Sequence, residues 1–150
     1  MKPYVSICIP VFKTEELLEE ALQSVLQNDV EHASKNVEVI IVNDGSTSTN
    51  LQGLSCKQIV KKFKKNTKIK INYIEHYQNK GLVEARRSAV YAAKGEYIFF
   101  FDSDDVLTPN CIKDLMSLAQ KENYDIVQGS FVTFPEENKR KIANFHGLLK

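Results

Sequence analysis

The sequence predicts an α/β fold, a parallel sheet covered by helices on both faces, from two patterns. Residues 5–9, 37–42 and 97–101 are apolar runs without alternation, as strands buried on both faces require. Segments with apolar residues at helical spacing separate them, and strands alternating with helices in this way run parallel. A third observation locates function. Polar clusters at residues 10–13, 43–46 and 102–105 directly follow these strands, and such sheets bind ligands at the carboxyl ends of their strands.

The elements follow in order. Residues 5–9 make the first strand, which Pro10 ends, and Thr14 offers an N-cap to a helix reaching Gln27. In that helix Leu17, Leu18, Ala21, Leu22, Val25 and Leu26 form one face, and Glu15, Glu16, Glu19, Glu20 and Gln23 the other. Residues 37–42, mostly β-branched, form a second strand, ended by the turn chemistry of Asn43-Asp44-Gly45-Ser46. Residues 55–65 carry Ile59, Val60 and Phe63 at helical spacing, and residues 68–74 alternate as a third strand at the sheet edge. The alanine-rich residues 82–94 form a helix capped by Gly95, residues 97–101 the fourth strand, and Thr108-Pro109 opens another helix. A fifth strand begins at residues 124–127, and the polar stretch 135–141 reads as a loop toward a portion this chain lacks.

At 150 residues and 43% hydrophobic, the chain supports one domain over residues 1–150. Twenty Lys and Arg against 19 Asp and Glu leave a net charge of +1, which gives no general attraction to nucleic acid, so no nucleic-acid partner is expected. The lysines between residues 57 and 70 enclose only one aromatic, Phe63, and read as a solvated face rather than a stacking platform. Cys8, Cys56 and Cys111 are far apart, with neither a disulfide framework nor zinc spacing, and read as reduced, mostly buried thiols of a cytoplasmic protein. His32, His76 and His146 show no ligand spacing and read as surface or loop residues, although His76 lies near enough to the third strand's end to reach the rim. The chain opens straight into a strand without a signal-like apolar stretch, and no apolar run approaches the roughly 20 residues of a membrane span.

Asp102, Asp104 and Asp105 put three carboxylates into four residues. Like charges so close raise one another's pKa unless a cation shares them, and oxygen-only ligands select Mg2+ or Mn2+. Capping the next helix would take only one aspartate. Asp44 either makes a local turn with Gly45 and Ser46 or accepts a hydrogen bond from a base N–H. Arg86 falls in the apolar stripe of its helix beside Leu82, Ala85, Ala89 and Val90, and so demands an anionic partner, a structural carboxylate or a ligand phosphate. Arg87 falls beside Glu84 and reads as a surface pair. No glycine-rich phosphate loop follows the first strand, which argues against dinucleotide-fold dehydrogenases and P-loop enzymes. Pro10, Val11 and Phe12 instead offer an apolar wall on which a base could pack.

Taken in order, Ile9-Pro10-Val11-Phe12, Val42-Asn43-Asp44-Gly45-Ser46, Asn79-Lys80-Gly81-Leu82 to Arg86, and Gly95-Glu96-Tyr97 to Asp105 resemble glycosyltransferase family 2, and the likeness covers nearly the whole chain. The resemblance implies a GT-A (Rossmann-like) three-layer sandwich with a mainly parallel central sheet. It implies a metal-dependent, inverting transfer, with Mn2+ or Mg2+, of a sugar from a nucleotide-diphosphate sugar, UDP before GDP, to a glycan, lipid-linked or other hydroxyl acceptor in polysaccharide biosynthesis. It sets Pro10, Val11 and Phe12 at the base, with Glu15, Asp44, Gly45, Arg86, Asp102, Ser103 and Asp104 also at the nucleotide and Asp102, Asp104 and Asp105 at the metal. Arg87 and Ala89 depart from the family, which commonly has Asn and Gly there. The family's catalytic Asp or Glu belongs to a later acceptor-side segment, expected past Lys150, since Glu136 and Glu137 come too early. The chain then reads as the donor-binding part of a cytoplasmic enzyme, peripheral to the inner face of the membrane through regions it lacks. Two other classes could use such a rim: a metal-dependent phosphoryl- or nucleotidyl-transfer enzyme, and a non-catalytic receiver or ligand-binding module.

Overall fold

The computed structural model describes residues 4–28, 37–133 and 141–143, with side chains as far as residue 130. The chain divides into two compact units, Met1–Pro109 and Asn110–Lys150. In the first, the order is β1 (Val5–Val11), α1 (Glu15–Gln27), β2 (Val37–Asn43), α2 (Cys56–Lys64), β3 (Lys70–Glu75), α3 (Leu82–Ala92) and β4 (Tyr97–Phe100). The strands form one parallel sheet in the order β3-β2-β1-β4, so the fold is the expected α/β. The steps from β1 to β2 and from β2 to β3 run in one direction, and right-handed crossovers put α1 and α2 on one face. The step from β3 back to β4 puts α3 on the other.

Packing follows the strand alternation. Ala85 and Ala89 of α3 lie against Cys8, Ile40 and Val42, small residues that let the helix approach the sheet closely. The intervening Ile7, Ile9, Val39 and Ile41 are fully buried on the opposite face, the side of Leu18, Leu22 and Val25 of α1 and Ile59 and Val60 of α2. Each such side chain contributes about 1.5–3 kcal/mol by leaving water. The strand order reverses between β1 and β4, and a crevice opens at the carboxyl end of such a reversal.

Several expectations need correction. Pro10 does not end β1 but pairs with Val42 inside it. Cys8 accepts from Phe101 N on the β4 side, so by alternation the ring nitrogen of Pro10 also faces that side. There β4 has already ended at Phe100, and the missing N–H breaks no ladder bond. The buried stripe of α1 runs through Glu15, Leu18, Leu22 and Val25, which leaves Leu17 45% exposed and takes Glu15 off the polar face. Ala93, not Gly95, ends α3. Gly95 is needed for close approach instead, because a Cβ there would lie 2.6 Å from Ser6 N. Thr108 does not cap a helix: its carbonyl accepts from Asn28 Nδ2 at 3.0 Å.

In the second unit α4 (Cys111–Glu122) begins after Asn110 and ends at Asn123, both left-handed. Residues 124–127 form no strand. Tyr124 N closes the helix by donating to Ala119 O, Ile126 is 69% exposed, and no described strand offers this run a ladder. The strands here are β5 (Phe131–Thr133) and β6 (Lys141–Ala143), an antiparallel pair. His32, His146, Glu136 and Glu137 lie outside the described residues.

Candidate functional site

Asp44 stands one residue beyond β2, with its N–H on Val11 O at 2.8 Å. The local turn expected of it is made by its neighbour: Asn43 Oδ1 accepts from Ser46 N at 2.8 Å, and Asn43 Nδ2 donates to Ser46 O at 3.2 Å. That frees the Asp44 carboxylate, which is 2% exposed. Its Oδ1 accepts from His76 Nδ1 at 2.6 Å and from Lys80 N at 3.0 Å, and its Oδ2 accepts from Gly81 N at 2.8 Å. Burial pushes the carboxyl pKa up, but the hydrogen bonds from His76, Lys80 and Gly81 outweigh it and hold the group below its ordinary 3.8. Gly45 makes this possible. At φ +70°, a Cβ on it would meet the backbone of Gln78 and Asn79 at 2.4 and 2.5 Å, so only glycine lets the loop that carries Lys80 and Gly81 cross here.

His76 reaches the rim, as its place near the end of the third strand allows, but it is buried at 7% exposure rather than lying on the surface or in an open loop. Its N–H continues the β3 ladder onto Asn43 O, and its Nε2 lies 2.9 Å from Ser88 Oγ of α3. A lone histidine leaves no periodic signal. The one clue was its position directly after a strand that pairs with the strand leading to Asp44.

On the other side of β1, Arg86 finds the anionic partner its place in the helix demanded. Its NH2 donates to Asp102 Oδ1 at 2.8 Å, and its guanidinium lies 5.5 Å from the Phe100 ring centroid. Its Nε is buried without a partner among the described residues. Arg87 pairs with Glu84 at 2.8 Å, as expected. Ser103 is buried and shares a 2.7 Å hydrogen bond with Thr14 Oγ1, which explains why Thr14 begins α1 without a side-chain cap. Asp104 and Asp105 are exposed. The carboxyl of Asp105 is pushed up, first by burial and then by the charges of Asp104 and Asp102.

Of the apolar wall at the end of β1, Phe12 is 41% exposed while Pro10 and Val11, still within the strand, are buried. Lys13 is left-handed at φ 59°, its N–H on Ser46 Oγ and its Nζ 5.3 Å from the Phe12 centroid. Glu15 is 1% exposed, and neither carboxylate oxygen has a partner among the described residues. Burial, and then the Glu15 charge, push the Cys56 thiol up to about 12.

Among the described residues no three His, Cys, Asp or Glu side chains converge as a metal cage. Mg2+ and its like are commonly held by one or two carboxylates and complete their shell with water and substrate phosphate. The exposed Asp104 and Asp105, mutually repelling and oxygen-only, fit an ion of that kind. No helix among the described residues is long and apolar enough to cross a membrane.

The sheet reversal has a fixed acceptor on one side and an arginine with clustered carboxylates on the other, at the rim where α/β sheets bind their ligands. The model of Glycosyl transferase family 2 matches residues 6–146, and the chain belongs to that family. It is 29% identical to the glycosyltransferase GlyG of Streptococcus pneumoniae over 92% of this chain and 42% of that one. The chain spans 17 to 42% of the length of the first curated relatives it matches. TarS 1–349 of S. aureus, solved in complex with UDP, aligns at a TM-score of 0.68 and 26% identity, over 86% of this chain and 34% of that one. A Pyrobaculum calidifontis mannosyltransferase, solved with GDP-Man and Mn2+, shares the fold at a TM-score of 0.67 and 21% identity, over 87% and 35%.

Proposed function

We propose that this chain is the donor-binding part of an inverting, metal-dependent glycosyltransferase. It takes a sugar from a nucleotide-diphosphate sugar, in the first instance a UDP-sugar, and delivers it to a hydroxyl of a glycan or lipid-linked acceptor in polysaccharide synthesis. The observation that carries this reading is the division of labour at the rim. Asp44 is a buried, preset acceptor suited to a base N–H, whereas Arg86 and Asp102, with Asp104 and Asp105, are half-buried to exposed groups suited to a diphosphate and its cation. The UDP complex of a 26%-identical neighbour supports it.

In this reading Phe12 packs on the base and Asp44 accepts from its edge. The exposed face of the Arg86 guanidinium turns toward the diphosphate, loosening its hold on Asp102. Asp104 and Asp105 hold the divalent ion, which supplies positive charge for the departing diphosphate. A carboxylate past Lys150 removes the acceptor hydroxyl proton as its oxygen attacks the anomeric carbon and the diphosphate leaves from the opposite face. The protein works in the cytoplasm, at the inner face of the membrane where lipid-linked acceptors lie, in keeping with three free cysteines.

Calorimetry with UDP and Mn2+ tests this directly. Binding is expected to need the metal, to vanish in Asp104→Ala, and to weaken about tenfold or more in Arg86→Ala. Metal-independent binding, or no response to either substitution, would remove the chemical basis of the assignment.

A further inference from the structure

We propose that His76 is a positioning residue that sets the base selectivity of this site by filling Asp44 until it has room for one donor. The inference rests on the reading of Asp44 as the base acceptor. A carboxylate offers about four acceptor positions, two on each oxygen. Oδ1 has both of its positions taken, by His76 Nδ1 at 2.6 Å and Lys80 N at 3.0 Å, and Oδ2 has one taken, by Gly81 N at 2.8 Å. One position remains, on Oδ2, and only 3% of the Asp44 side chain is exposed. A base that presents a single N–H between two carbonyls, as uracil does at N3, meets that vacancy. Guanine presents N1–H and an exocyclic N–H side by side and needs both oxygens of a carboxylate. With Oδ1 filled, one guanine donor would be buried without an acceptor, and a site that strands a polar group discriminates strongly against the ligand that does so.

His76 is the component that makes Oδ1 unavailable and could have been otherwise. The Lys80 and Gly81 donors are backbone groups and belong to the loop path whatever the side chains are. The imidazole is held from its far side by Ser88 Oγ, 2.9 Å from Nε2, and it is buried between β3 and α3. The carboxylate of Asp44 only accepts, so it requires the proton on Nδ1, and the Ser88 hydroxyl, which can donate or accept, holds the ring orientation from Nε2.

The test measures UDP and GDP affinity, each with Mn2+, for the full chain and for His76→Phe, His76→Asn and Ser88→Ala, with thermal melts to establish that each is folded. The unaltered chain is expected to prefer UDP by about tenfold or more. His76→Phe keeps the volume but opens Oδ1, so the UDP to GDP ratio falls toward one. His76→Asn, whose amide can still donate to Asp44, restores the ratio, and Ser88→Ala falls between. A merely structural role would weaken both nucleotides equally and leave the ratio untouched, and that result in His76→Phe, or in Ser88→Ala if His76→Phe does not fold, overturns the proposal. A preference for GDP in the unaltered chain overturns it as well. Binding of neither nucleotide would sink the donor-site reading itself, which is a different failure from UDP binding whose selectivity ignores His76.

Discussion

The two halves of the rim are built on opposite principles. Around Asp44 the carboxylate and the His76 imidazole are buried and hydrogen-bonded to each other, and the carboxylate is held below its usual pKa by hydrogen bonds that exist before any ligand arrives. Around Asp102 to Asp105 the carboxylates are half-buried or exposed, one is bound to Arg86, and Asp105 is pushed the other way, upward, by burial and by its neighbours' charge. A preorganised acceptor reads a base by geometry, since nothing needs to move when it binds. An under-neutralised cluster responds to charge, because a cation relieves a repulsion that is already present. One side of the crevice is suited to selecting and the other to being completed.

The sharpest way to break the preorganised side is through Gly45. Gly45→Ala combines a left-handed backbone with a Cβ 2.4 Å from Gln78 C, and backbone cannot yield as a side chain can. We expect a loss of about 3 kcal/mol in urea melts together with UDP binding, since the loop carrying the Lys80 and Gly81 donors must shift. Gly53→Ala is the control: φ is +75° there but nothing lies within 4 Å, so only the conformational penalty, about 1 kcal/mol, should appear. Equal losses at the two glycines would mean that the loop crossing does not hold Asp44 in place.

The two halves should also answer acid in opposite ways. The Asp44 pKa is lowered on folding from 3.8, so its contribution is complete above 3.8 and is lost as pH falls through the depressed folded value. The Asp105 pKa is raised above 3.8, so the native state holds its proton more tightly than the unfolded chain. Its penalty is absent at low pH and grows as pH rises from 3.8 through the raised value. Asp44→Asn should therefore flatten the acid limb of the stability profile and lower stability at neutral pH by about 2–3 kcal/mol. Asp105→Asn should raise metal-free stability near neutral pH by a few tenths of a kcal/mol, the scale of a like-charge contact at the surface. Denaturant midpoints measured from pH 2.5 to 7 check both, and parallel profiles for the two variants would erase the contrast.

The scaffold was legible because strands buried on both faces leave unbroken apolar runs, and the ends of those runs located the rim. What stayed hidden depends on neighbours that sequence does not reveal. Pro10 can lie inside β1 only because β4 stops at Phe100 beside it. Glu15 lies on the buried stripe because α1 is rotated slightly from the phase its leucines suggest. The donors that fix Asp44 are the backbone N–H groups of Lys80 and Gly81, which any sequence possesses, and only the glycines that let the loop pass there hint at them. Arg86 was the opposite case, since a charge in an apolar stripe announces a partner even when it does not say which.

Lys13 separates strain from function on the preorganised side. It links β1 to the Asn43 turn through its N–H on Ser46 Oγ, yet does so from a left-handed backbone at φ 59°, which asparagine tolerates better than lysine. Lys13→Asn keeps the backbone hydrogen bond and reduces the strain, so stability should rise by about 0.5 kcal/mol. It also removes the ammonium that sits 5.3 Å from the Phe12 centroid. If the lysine is there only to shield the ring, UDP affinity in Mn2+ stays as it was and the gain in midpoint is the whole effect. If affinity falls while stability rises, the strain is retained for the sake of a cation beside the anionic ligand, and the boundary between the half that selects and the half that answers charge runs through Phe12 rather than along β1.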